Sequence, residues 1–187
     1  MNKSIEKILV DIIKHELDLP DNYGKTERGD IIPSVIIYGQ NIKLFNTDKL
    51  QITVKATDFR TYSNRNEFVS EVDGFKEIQN INQSCTIQID CYSRNNDARD
   101  RHHEIIMAMN SIYAEQQMDL YNFKLGLMGN TVNISGIDGG SDINRFTTTY
   151  KAIIHHQKIK EIDYYDKFKI TANNEQGQFF EMDNYSD

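Results

Sequence analysis

Residues 83–118 read QSCTIQIDCYSRNNDARDRHHEIIMAMNSIYAEQQM, and this stretch decides the fold. From Ser84 to Tyr92 the residues alternate. Cys85, Ile87, Ile89 and Cys91 point one way, and Thr86, Gln88, Asp90 and Tyr92 the other. A period of two is the mark of a half-buried strand. The polar run Ser93-Arg94-Asn95-Asn96-Asp97 then breaks it. After the break Ala98, His102, Ile105, Ile106, Met109, Ile112 and Tyr113 recur at steps of three and four, one face of a helix. Asn96 is placed to cap that helix, and Asp97 and Asp100 put negative charge where its dipole favours it. The pattern predicts a single long helix of about twenty residues, roughly 30 Å.

Outward from this unit, Ile5, Ile8, Leu9, Ile12, Ile13 and Leu17 form an apolar stripe that predicts an N-terminal helix capped by Ser4 and ended by Pro20. Ile31 to Tyr38 is apolar and β-branched, with Pro33 near its start, as suits an edge strand. Leu50, Ile52, Val54 and Ala56 alternate with Gln51, Thr53, Lys55 and Thr57. The chain then turns polar from Arg60 to Asp73, which reads as a long loop or an extended hairpin tip. Leu120 to Met128 and Thr131 to Ile137 read as two short strands around Gly129-Asn130. Arg145 to Gln157 reads as the last strong strand. Beyond Asp166 the pattern fades, apart from the apolar pair Phe179-Phe180. The expected architecture is α+β: an antiparallel or mixed sheet packed by an N-terminal helix and one long central helix. It fills one domain, residues 1–165, with an extension at 60–74 and a polar, acidic tail at 166–187.

Composition narrows the function. The 187 residues carry 21 Lys and Arg against 28 Asp and Glu, a net charge of −7, which argues against gripping nucleic-acid phosphates. Cys85 and Cys91 lie about 20 Å apart along one strand, beyond disulfide reach, and read as buried thiols in a reducing compartment. No stretch resembles a signal peptide or a membrane span.

Candidate chemistry is thin. His102 and His103 are adjacent on a helix and diverge by about 100°, so they share a metal poorly. His155 and His156 point to opposite sides of a strand. The glycines at Gly136, Gly139 and Gly140 lack the Lys-Ser/Thr of a phosphate loop. Asp58, Glu71 and Asp90 are the carboxylates that a metal-dependent nuclease would use, but their spacing fits no nuclease pattern. The expectation is no catalytic residue, no metal and no cofactor. Arg94, Arg99 and Arg101, interleaved with Asp97 and Asp100, form a mixed-charge helix start suited to a subunit contact that sets register.

The run Gln88-Ile-Asp-Cys-Tyr-Ser93, followed by Asp97-Ala-Arg99, resembles the tail terminator, or neck, proteins of tailed bacteriophages. So does its setting after the strand Ser34–Tyr38 and before a late hairpin. The resemblance covers about residues 1–165. It implies a structural virion protein without enzymatic activity, assembled in the host cytoplasm. Its copies form a hexameric ring that ends the tail tube and joins the tube protein to the head-completion and connector proteins. DNA passes through the lumen without specific binding. The residues expected to touch neighbouring subunits or partners are Arg60, Arg65, Phe68, Arg94, Arg99, Arg101, Phe179 and Phe180. The alternatives are a small metal-dependent nuclease or another connector or adaptor protein.

Overall fold

A computed structural model describes residues 3–38, 48–71, 74–126, 129–138, 141–162, 169–173 and 179–183. In order these form α1 (Ile5–Glu16), β1 (Asn22–Lys25), β2 (Ile31–Pro33), β3 (Val35–Ile37), β4 (Gln51–Glu71), β5 (Gly74–Ser93), α2 (Asp97–Met109), α3 (Ile112–Leu120), β6 (Phe123–Leu125), β7 (Asn130–Asn133), β8 (Gly136–Asp138), β9 (Ser141–Ile162), β10 (Lys169–Asn173) and β11 (Phe179–Asp183). Strand outweighs helix by a wide margin. The protein is mostly β, built on a large mixed sheet, and the expected α+β arrangement around one long central helix is overturned.

The long helix fails at Asn110-Ser111. Asn110 bends its side-chain amide back to the Ile106 carbonyl at 2.7 Å. Ser111 leaves helical geometry, with ψ at 158°, and its hydroxyl accepts from the Ala114 amide at 3.1 Å. One residue closes α2 and the next caps α3. Both side chains offer the backbone a partner outside the helical ladder, which is why such residues favour helix ends. At the start of α2, Asn96 holds the cap position without a side-chain bond. Ser93 caps instead, accepting from the Ala98 amide at 2.9 Å while donating to the Asn95 carbonyl at 2.7 Å.

The sheet runs β3-β4-β5-β9-β6, with β7 and β8 also on β9. β3 is parallel to β4, Val35 opposite Ile52, whereas β6 and β7 run antiparallel to β9. β4 and β5 are far longer than average strands, and Asp58, at φ 55°, interrupts the extended backbone of β4. The chain divides into two compact units, Met1–Asn64 with Ile81–His156, and Arg65–Asn80 with Gln157–Asp187. β4, β5 and β9 contribute to both. In the first unit one sheet face carries the core. Ile52 and Val54 of β4, Ile87, Ile89 and Cys91 of β5, and Tyr150, Ala152 and Ile154 of β9 pack with Leu9, Ile12 and Ile13 of α1, Ile105 of α2, and Ala114 and Met118 of α3. In the second unit β10 pairs antiparallel with β11, placing Phe179 opposite Asn173 and Phe180 opposite Ala172. Among the described residues no helix is long and apolar enough to cross a membrane.

The other face of the sheet is buried in part but polar. Gln51, Thr53 and Asp90 are all covered. Among the described residues both amide atoms of Gln51 lack a hydrogen-bond partner. A buried unpaired amide costs more than an apolar group of the same shape. Gln51→Met is therefore expected to raise stability by about 1 kcal/mol, read as a higher urea midpoint; a lower midpoint would show that the amide is paired.

The two thiols titrate late because burial disfavours the thiolate. Cys85 is pushed up from about 9 to about 11, and Cys91 to about 12. Burial also pushes Tyr150 to about 12. Between pH 9 and 12 the unfolded chain releases protons that the folded chain retains, so this contribution is full below pH 9 and fades as pH rises through that window. Urea midpoints should therefore fall between pH 8 and pH 10.5, and fall less steeply in Cys91→Ala. An unchanged midpoint across that interval would mean that the thiols are solvated.

Candidate interaction surface

The strand-to-helix corner that follows Asp90 is tied together internally. The Asp90 carboxylate accepts from Arg145 Nη2 at 2.7 Å, from Thr147 Oγ1 at 2.6 Å and from Gln88 Nε2 at 3.0 Å. The first two of these bonds join β5 to β9, and the third lies within β5. Asn144 Nδ2 reaches the Asn95 carbonyl at 2.9 Å and fixes the turn to the same strand. Arg101 grips Glu104 through Nε and Nη2, and Nη2 also donates to the Leu17 carbonyl at the end of α1, 3.3 Å away. His102 stacks on Phe146 with ring centroids 4.3 Å apart, and its Nδ1 lies 2.7 Å from the Arg99 carbonyl. His15 stacks on Tyr113 at 3.9 Å, so α1 and α3 meet through a ring pair.

The residues expected at an interface differ in their exposure and engagement. Arg99 is exposed at the start of α2, Arg94 is half-buried at the end of the turn, and Arg101 is engaged within the fold. Arg60 is exposed on β4, its carbonyl accepting from Ser84 Oγ at 3.5 Å. Ser84 lies ten residues from Arg94 along β5, about 33 Å at the rise of a strand, so Arg60 does not join the helix-start arginines. In the second unit Arg65 pairs with Glu67 at 3.0 Å on the surface, and Phe68 is 72% exposed. Phe179 and Phe180 lie in β11, their side chains outside the described residues, as is that of Glu71. Asp58 is exposed and accepts a bond from Thr57 Oγ1 at 3.3 Å. His102 and His103 meet edge to face, rings 5.8 Å apart. Among the described residues no three His, Cys, Asp or Glu side chains form a group that could hold a metal ion.

Large apolar side chains reach solvent elsewhere in the first unit, among them Ile31 and Val132 and two further groups. Met107, Ile112 and Leu120 stand 66%, 76% and 66% exposed around the α2–α3 break. Phe59 and Tyr62 on β4 and Ile153 on β9 are exposed on strands. Strand β6, at the end of the sheet, is flanked by hollows, one of them, of about 280 Å³, against Met118, Asn122, Phe123 and Ile153, and two more beside Leu125. One, of about 330 Å³, is lined by Tyr62, Ser84, Leu125, Lys151 and Ile153. The other lies on the helical side, between Met109, Glu115, Met118 and Lys124. Periodicity in the sequence hides the exposure of Ile112, because an apolar residue at a helical step reads as core whether or not anything covers it.

No protein-family model matches the chain, and no curated protein matches it.

The Asp90 contacts predict a stability role. Asp90→Ala strips the acceptor from Arg145 and Thr147 and should cost about 2–3 kcal/mol, with Asp90→Asn, which keeps one acceptor oxygen, costing less. Chemical unfolding measures both; equal costs would contradict a carboxylate that acts mainly as a hydrogen-bond acceptor.

Proposed function

We propose that the protein is a structural component of a bacteriophage tail, a ring at the head-proximal end that stops tube growth and joins the tail to the head connector. The observation that carries an assembly role is the set of large apolar side chains left in solvent, at the α2–α3 break and along β4. Exposed apolar groups at this density favour protein contacts. The phage-tail assignment rests on the resemblance of Gln88–Ser93 and Asp97–Arg99 to tail terminators.

Two features of the corner support a framework role for that run. Asp90 commits its carboxylate to neighbouring donors, and Ser93 its hydroxyl to the helix start. The Asp90 bonds hold β5 to β9 and the Ser93 bond ties the helix start to the strand end, the kind of fixed frame a subunit needs if each copy is to meet the next at a constant rotation. The acidic balance of the chain, −7 overall, suits a lumen that DNA traverses without adhering, since phosphates gain nothing there by releasing counterions.

Light scattering after gel filtration tests the reading. Six copies of a 21.8 kDa chain give about 130 kDa for a closed hexamer, and negative-stain images should show annuli. A monomer at every concentration, or DNA cleavage with magnesium that is lost in Asp90→Asn, would overturn it.

A further inference from the structure

The sheet order places β3 at one end and β6 at the other, and among the described residues no strand pairs with the far side of either. Backbone bonds define what each edge offers. Ile52 N–H donates to the Ser34 carbonyl at 3.0 Å and Tyr38 N–H to the Val54 carbonyl at 2.9 Å. In a parallel ladder this turns Ser34, Ile36 and Tyr38 toward β4 and leaves the amides and carbonyls of Val35 and Ile37 directed outward. On the other side Gly126 N–H donates to the Lys151 carbonyl at 2.8 Å and His155 N–H to the Asn122 carbonyl at 2.9 Å. Asn122, Lys124 and Gly126 therefore bond inward, and Phe123 and Leu125 face outward. Each edge presents two residues, one position apart, ready for a ladder.

The side chains are complementary as well. At β3, Ile37 is 37% and Tyr38 39% exposed. They are neighbours on an extended chain and project to opposite faces of the sheet. At β6 two of the hollows likewise lie on opposite faces, one over Tyr62 and Ile153, the other against the helices at Met118. The hairpin leading into β3 carries exposed Glu27 and Asp30 among Lys25 and Arg28, and these carboxylates can accept from Lys151, which is exposed beside β6, whereas Lys124 already pairs with Asp119.

From this geometry we infer that β3 of one copy pairs with β6 of the next, so that the sheet continues from subunit to subunit, head to tail. The inference rests on the ring reading and specifies its contact. A second copy is the occupant that the edges favour, because it satisfies both at once, whereas an unrelated peptide would satisfy one and leave the other as a pairing hazard. Because β3 and β6 differ, the contact is heterologous: a pair of copies still has one free edge of each kind, and growth ends when the rotation closes a ring.

Mixing two variants, each with one added cysteine, tests the pairing. Ile37→Cys and Leu125→Cys each place one thiol at one edge, and the native Cys85 and Cys91 are buried. Treated with a short bismaleimide, the two variants should give covalent dimer only when mixed, and a double variant should give a ladder of oligomers. Dimer from either variant alone would mean a symmetric contact and would overturn the inference. Absence of adduct in a protein that still forms annuli would overturn the edge pairing but keep the ring. Absence of adduct in a protein that is monomeric at every concentration would overturn both.

Discussion

The apolar layer on one face of β5 is the constraint from which the rest follows. Ile87, Ile89 and Cys91 are fully buried there. β5 sits between β4 and β9, so this layer joins the two long neighbours to the three helices above. Its partners on the opposite face are polar, and Asp90 turns that polarity into a tie between β5 and β9. Burial sets the face, and the hydrogen bonds set the angle at which the chain leaves it. An isolated strand could provide neither.

Local periodicity made α1 and β5 legible. The buried aliphatic residues of α1 share one face, as do Cys85, Ile87, Ile89 and Cys91 of β5. The same reasoning mistook α2 and α3 for one helix, because the apolar steps continue through the break, from Met109 to Ile112 and Tyr113. The discontinuity lies in Asn110 and Ser111, whose side chains compete for backbone groups, and a count of apolar spacing does not register that. The fold class was misjudged for a related reason. β4 continues as strand through the polar residues after Thr57, and a strand wet on both faces shows no alternation of polarity. The Asp90–Arg145 pair spans 55 positions, and no local signal marks it; only strand pairing brings the two together.

A sheet with two unlike ends and a rigid central corner is well suited to repetition. Each added copy would extend the backbone ladder at one end and the apolar packing on both faces. The strength of such a contact comes from desolvating side chains such as Ile37 and Tyr38, while the ladder bonds set register. Arg94 and Arg99 stand near the turn, where charge selects partners and orientation more than it adds affinity. Such a division of labour would suit a chain that is acidic overall yet exposes bulky apolar groups.

Amide hydrogen exchange, compared between dilute and assembled protein, tests this account most directly. Pairing of the sheet ends predicts that the amides of Val35, Ile37, Phe123 and Leu125 gain protection together on assembly, while those of the buried ladder of β5 stay protected throughout. Protection gained at the α2–α3 break alone, with both sheet ends exchanging as freely as before, would contradict it.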